Sequence, residues 1–177
     1  MPLPDFCQKK GWEKPEQGVL KINSDGAFFE QSGDGGWGYV IRHKDGRVWK
    51  AGGGREDFLQ SAFHSELLGC FEGLKIAAQM GMTQVILETD ATTVKTALQG
   101  DEYRLSPMGG MIIEIKHFMA AEFSMCRVNV CPRVCNNLAH ELASIGCKMP
   151  SGDRATLDCV PSFLEGLVSS DSAVAEV

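Results

Sequence analysis

Apolar positions along this chain change period several times, and each change marks an element. Val19 to Phe29 reads as a strand, Gly33-Asp34-Gly35-Gly36 as a turn, and Trp37 to His43 as a second strand. Lys44-Asp45-Gly46 is a hairpin signal before a third strand from Arg47 to about Ala51, which Gly52-Gly53-Gly54 is expected to end. The period then turns helical. Leu59, Ala62, Phe63, Leu67, Cys70, Phe71, Leu74, Ala77 and Ala78 form one stripe of a helix from about Leu59 to Met80, with Gly81 as its stop. Thr83 to Glu88 is a compact apolar run, the pattern of a strand buried on both faces. Helices are expected from Thr92 to Leu98 and from Pro107 to Ala121, a strand from Phe123 to Val130, and a last helix from Asn136 to Cys147.

Strands joined by tight turns are antiparallel, and strands joined through helices run parallel. The order of elements therefore predicts an α/β fold: a five-stranded mixed sheet, three antiparallel strands followed by two parallel ones, flanked by helices. Residues 1–18 carry three prolines and no periodicity, an irregular lead-in to a domain over 19–149. Residues 150–177 read as an acidic, Ser-containing C-terminal tail, partly disordered over its last ten residues.

Composition narrows the picture in three ways. The net charge is −6, but the tail holds five acids (Asp153, Asp158, Glu165, Asp171, Glu176) against Arg154, so the first 150 residues carry only −2. The total of −6 argues against a strongly electrostatic nucleic-acid binder, and the nearly balanced body softens that argument. Seven cysteines, odd in number and scattered among core-like positions, fit reduced thiols better than a disulfide framework. No secretory start and no bilayer-length apolar run is present, which predicts an intracellular protein without membrane association.

Candidate chemistry rests on three carboxylates beside small residues: Asp25 in Ser24-Asp25-Gly26-Ala27, Glu66 in His64-Ser65-Glu66-Leu67, and Asp90 in Glu88-Thr89-Asp90-Ala91. Glu66 lies three residues after Phe63 and four before Cys70, within the buried stripe. Burying an unpaired carboxylate costs several kcal/mol (order of magnitude), and a divalent metal shared with other carboxylates resolves that cost. Asp25 sits within the first strand and Asp90 ends the fourth, so the two converge if those strands are neighbours. The alternatives are a surface ion pair for Glu66, a turn cap for Asp25 and the N-cap of the next helix for Asp90.

Two other patterns are set aside. Gly33 to Gly38 matches G-x-G-x-x-G, but Trp37 to His43 alternates like a strand, whereas a dinucleotide site needs a helix after the glycines. Cys126, Cys131, Cys135 and His140 invite a zinc reading, yet their spacing matches no standard finger, and buried free cysteine is the expected role. His43, His64 and His117 have no evident partners in sequence.

Taken in order, these segments resemble a type 1 ribonuclease H domain, in its plant reverse-transcriptase-like branch of retroelement origin. The resemblance runs from Ser24-Asp25-Gly26-Ala27 through Gly35-Gly36-Trp37-Gly38-Tyr39-Val40-Ile41, His64-Ser65-Glu66-Leu67 and Leu87-Glu88-Thr89-Asp90. It closes on Arg133-Val134-Cys135-Asn136-Asn137-Leu138-Ala139-His140-Glu141-Leu142-Ala143 and spans roughly Lys21 to Gly146. It implies the ribonuclease H-like fold and a two-metal endonuclease that hydrolyses the RNA strand of RNA–DNA hybrids. Mg²⁺, or Mn²⁺ in its place, would be held by Asp25, Glu66 and Asp90. Asn23, Ser24, Ser65 and Asn136 are the polar candidates for substrate contact, on an RNA–DNA hybrid or a structured RNA.

The chain departs from the family pattern at two positions. His140 stands where a fourth carboxylate is common, and Val130 where a mobile histidine is expected. Neutral imidazole binds Mg²⁺ less well than carboxylate does. The alternative reading is thus a catalytically weak or inactive module of the same fold that binds nucleic acid or a protein partner.

Overall fold

A computed structural model describes residues 12–173; the first eleven residues of the expected lead-in and the last four of the expected tail lie outside it. The strands are β1 (Leu20–Phe29), β2 (Asp34–Arg42), β3 (Val48–Glu56), β4 (Gln84–Thr89), β5 (Met125–Val130) and β6 (Arg154–Leu157). The helices are α1 (Ala62–Gln79), α2 (Thr92–Gln99), α3 (Gly109–Glu122), α4 (Asn137–Cys147) and α5 (Glu165–Ala173). They form one mixed sheet in the order β5-β4-β1-β2-β3-β6. β1, β2 and β3 are antiparallel neighbours, and β4 and β5 run parallel to β1. No helix among the described residues is long and apolar enough to cross a membrane.

Alternation along the strands sorts side chains between two layers. Leu20 and Ile22 of β1, with Trp37, Tyr39 and Ile41 of β2, join the main core under α1, α2 and α3. Val40 and Ala51 point the other way, against Leu138, Ala139 and Leu142 of α4 and Leu164 before α5. Lys21, Asn23 and Asp25 share that second face, so β1 presents apolar residues to one layer and polar ones to the other.

Three expectations are corrected. The sheet has six strands rather than five, because residues 154–157 pair antiparallel with Ala51–Gly54 of β3. The third strand runs through Gly52-Gly53-Gly54 to Glu56 instead of ending there. The Tyr39 hydroxyl and the Trp37 ring lie so close over Gly52 and Gly54 that an added Cβ would meet them at 2.4 and 2.5 Å. Most of the chain beyond Pro150, expected as a tail, is structured through residue 173: β6 closes the β3 edge, and Leu167 and Val168 of α5 pack on the α4 cluster.

Helix α1 also starts later than its apolar stripe suggests. Ser61 caps it by accepting the His64 N–H at 3.1 Å. Leu59 stays outside the helix, and its N–H bonds Gly33 O at 2.7 Å, which pins the β1–β2 turn to the α1 entry.

Candidate metal centre and active site

β4 stops pairing with β1 at Asn23↔Glu88, so the outer edge of β1 has no strand partner from Ser24 onward. Two residues past that last pair lie Asp25 and Asp90, side by side as parallel neighbours. α1 closes the notch. Gly26 lets its N-terminal turn sit directly on β1: an added Cβ would fall 2.5 Å from Glu66 N. That contact explains the glycine in Ser24-Asp25-Gly26 and delivers Glu66. Carboxylate oxygens of Asp25, Glu66 and Asp90 thereby come within 4.8 Å of one another.

Each acid is held differently. Asp25 is 0 % exposed; its Oδ1 accepts Gly26 N–H at 3.0 Å and its Oδ2 lies 2.8 Å from His140 Nδ1. Asp90 Oδ2 accepts from Arg133 Nη1 at 2.8 Å, and its Oδ1 is 3.5 Å from Asn136 Nδ2. Glu66 Oε2 is buried with no hydrogen-bond partner. Burial, then the Asp25 charge, a side-chain hydrogen bond to Asp25 and the Asp90 charge push the Glu66 carboxyl up to about 9, with Arg133 opposing. An orphaned buried oxygen among three converging carboxylates is a donor set suited to a hard divalent cation.

Asp90 does not cap the next helix. α2 has Ala91 at its N-cap position, and the nearest side-chain bond is Thr89 Oγ1 accepting Ala91 N–H at 3.1 Å. His140, on the second turn of α4, joins the cluster from the opposite layer to Glu66. Val130 is half-exposed at the end of β5.

The four polar residues expected to touch substrate are each 0 % exposed, and their side chains build the frame of the site. Asn23 Oδ1 accepts Trp12 Nε1–H at 2.9 Å and its Nδ2 donates to Glu88 at 3.1 Å. Ser24 Oγ meets Cys70 Sγ at 3.1 Å, and Ser65 Oγ donates to Ala62 O at 2.8 Å. Asn136 Nδ2 donates to Ser24 O at 2.9 Å, tying the start of α4 to β1 beside Asp25. Cys131 and Cys135 pack around Trp12, while Cys126 lies against the main core.

Arg133 is the functional-site residue that the sequence pattern did not single out. It lies in a single 3-10 turn (Arg133–Cys135) after Pro132 and reaches both Asp90 and Asp25. The available signal was its place seven residues before His140 and three before Asn136, at the head of the motif that both of them belong to.

Fold and site together define a type 1 ribonuclease H domain with an acidic cluster at the edge of its first strand, just past the pairing with β4. Residues 23–146 match the reverse transcriptase-like family, and the chain belongs to that family, in its plant branch. It is 28% identical over 166 residues to "Putative ribonuclease H protein At1g65750" of Arabidopsis thaliana, covering 92% of this chain and 26% of that protein. The chain therefore spans about a quarter of that relative's length. Among solved structures, RNase H1 of the archaeon Halobacterium salinarum superposes with a TM-score of 0.68 at 21% identity, over 73% of this chain and 98% of its own. LC11-RNase H1, a metagenomic protein from compost solved in complex with an RNA/DNA hybrid, gives 0.67 at 18% identity, over 73% and 96%.

Proposed function

We propose that this protein is a metal-dependent ribonuclease that hydrolyses the RNA strand of RNA–DNA hybrids, with Asp25, Glu66 and Asp90 as ligands of Mg²⁺ or Mn²⁺. The observation that carries this reading is the convergence of three carboxylates from β1, α1 and the end of β4 around the partnerless Glu66 Oε2. Divalent ions held there would activate water and stabilise charge on the leaving oxygen of a phosphodiester.

The chain's own groups set the rest. Gly26 N–H and Asn136 fix the Asp25 and Asp90 carboxylates, so their second oxygens face the notch. His140 holds Asp25 at 2.8 Å, where a proton on Nδ1 makes the imidazole a donor to the carboxylate rather than a ligand. Glu88, bonded to both Asn23 and Lys21, braces β4 against β1 two residues before each aspartate.

A second reading, a nucleic-acid-binding module with little turnover, is favoured by the same His140 contact, since a fourth carboxylate is replaced by a group that engages Asp25. End-labelled RNA–DNA hybrid incubated with Mg²⁺ or Mn²⁺ separates the two. RNA-strand cutting that Asp25→Asn abolishes supports the hydrolase. Retention of hybrid in a gel shift without cutting supports the binding module, and cutting that survives Asp25→Asn removes the carboxylates from the reaction.

A further inference from the structure

The four oxygens of Asp25 and Asp90 divide by partner. Each Oδ1 faces the protein, toward Gly26 N–H at 3.0 Å and Asn136 Nδ2 at 3.5 Å. Each Oδ2 faces the notch, and both lie against one guanidinium: Arg133 Nη1 is 2.8 Å from Asp90 Oδ2 and 3.7 Å from Asp25 Oδ2. Its Nη2 reaches the His140 ring, 2.5 Å from Nδ1 and 3.2 Å from Nε2. His140 Nδ1 cannot both donate to Asp25 and accept from Arg133. The crowding of two basic side chains on one carboxylate oxygen reflects the negative charge around them.

Resting on the reading of this cluster as a metal centre, we infer that Arg133 is a built-in counter-cation, one that a divalent metal must displace from Asp25 and Asp90 in order to bind. The notch-facing oxygens are the ones left for coordination, and Arg133 hydrogen-bonds that of Asp90 and lies within ion-pair distance of that of Asp25. A Mg²⁺ about 2.0–2.1 Å from both oxygens would stand in the space between them that the guanidinium fills. Like charge adds to the exclusion.

Displacement is feasible because the Arg133 side chain is 53 % exposed and stands on a short turn from which it can swing into solvent. Half-exposed ion pairs are weak, so the arginine sets a threshold for metal rather than a block. If the open form makes up about one molecule in ten, apparent metal affinity falls about tenfold. Arg133 is thus a positioning residue: it holds Asp25 and Asp90 together without metal and is released when metal arrives.

Calorimetric titration of Mn²⁺ into metal-free protein tests this without recourse to activity. Arg133→Gln is expected to bind Mn²⁺ about tenfold tighter than the parent. Arg133→Lys should fall between them, since the ammonium keeps the charge but loses the planar fork that spans two carboxylates. Asp25→Asn should lose the site. Equal affinity of Arg133→Gln and parent overturns the inference while leaving the metal centre standing. Tighter binding by Arg133→Gln with Arg133→Lys equal to the parent also supports it, with charge rather than the planar fork excluding the metal. Absence of Mn²⁺ binding in every variant, each folded by circular dichroism, overturns both the inference and the metal-centre reading.

Discussion

Arg42 and Asp171 meet at 2.8 Å with essentially no exposed side-chain surface, on the same face of the sheet as Asp25. Trp12 covers the pair: the Arg42 guanidinium lies 4.6 Å from its ring centroid, and its N–H bonds Asp171 O at 3.2 Å. Farther along β1, Asp25 and Asp90 share the guanidinium of Arg133, Asp25 also meets the imidazole of His140, and Glu66 converges with them. Both regions bury charge in a low-dielectric setting where an unpaired ion is costly. The first matches one cation to one anion and fastens chain segments that lie outside residues 23–146. The second gathers like charges; buried atoms without a partner occur in both, Arg42 Nε and Nη1 and Asp171 Oδ1 in the first and Glu66 Oε2 in the second, so the surplus of one sign is what sets the second apart. A matched pair marks a clamp, and a surplus of one sign marks a place that takes up an ion from outside.

The sharpest way to break this contrast is to remove one charge from each region. Asp25→Asn should lower hybrid cleavage by more than the roughly 100-fold that outer-shell groups of metal sites cost, since it removes a proposed ligand itself. Its metal-free stability should hold or rise, because a repulsive charge is gone. Equal losses of stability and activity in that variant would show that the acids are structural.

Arg42→Met should do the reverse, leaving Asp171 buried and unpaired at a cost of about 3–5 kcal/mol. Urea unfolding measures it. Arg42→Met with Asp171→Leu should recover most of the loss, since burying two apolar groups removes both charges at once. If the double variant is no better than the single one, packing around Trp12 rather than charge holds the clamp.

Acid–base linkage distinguishes the regions next. Burial and the neighbouring acids raise the Glu66 carboxyl from its ordinary value of 4.5 to about 9. The folded metal-free chain thus keeps a proton that the unfolded chain releases near 4.5. That preference contributes stability in full below about pH 4.5, and the contribution is lost as pH rises through about 9. In EDTA, thermal unfolding between pH 5 and 9 should fall more steeply for the parent than for Glu66→Gln, which cannot titrate. Parallel curves would place Glu66 in water.

The smallest expected effect lies at the α1 entry. Ser61→Ala removes the cap on His64 N–H and should cost about 1 kcal/mol of stability, with little change in metal affinity. A marked fall in Mn²⁺ binding instead would show that the cap also positions Glu66, five residues on.

Much of this architecture was legible along the chain. Val19 to Phe29 and Thr83 to Glu88 announce β1 and β4 because runs of strand-forming residues bounded by glycine have few other uses. Glu66 stood out because an acid in an apolar stripe contradicts its surroundings. α5 was hidden by the same logic reversed. Leu164, Leu167, Val168 and Asp171 keep the i, i+3, i+4, i+7 spacing of a buried stripe, but the fourth position is an acid among serines. Only Arg42, 129 residues away, makes that acid a core residue. β6 has four residues and a half-exposed pattern, too little for periodicity to register without β3 beside it.

Local pattern thus sufficed for the order of strands and helices through α4 and for picking out three acids that the fold brings together, because both depend on near-neighbour spacing and on the cost of burying charge. The roles of Asn23, Ser24, Ser65 and Asn136 turned on which way a side chain faces once two layers close over β1, and all four face inward. Arg133 is a counter-cation because one turn after β5 carries it across to Asp90, 43 residues earlier, and to Asp25 beyond. Contacts of that range arise when the sheet assembles, and no spacing along the chain encodes them.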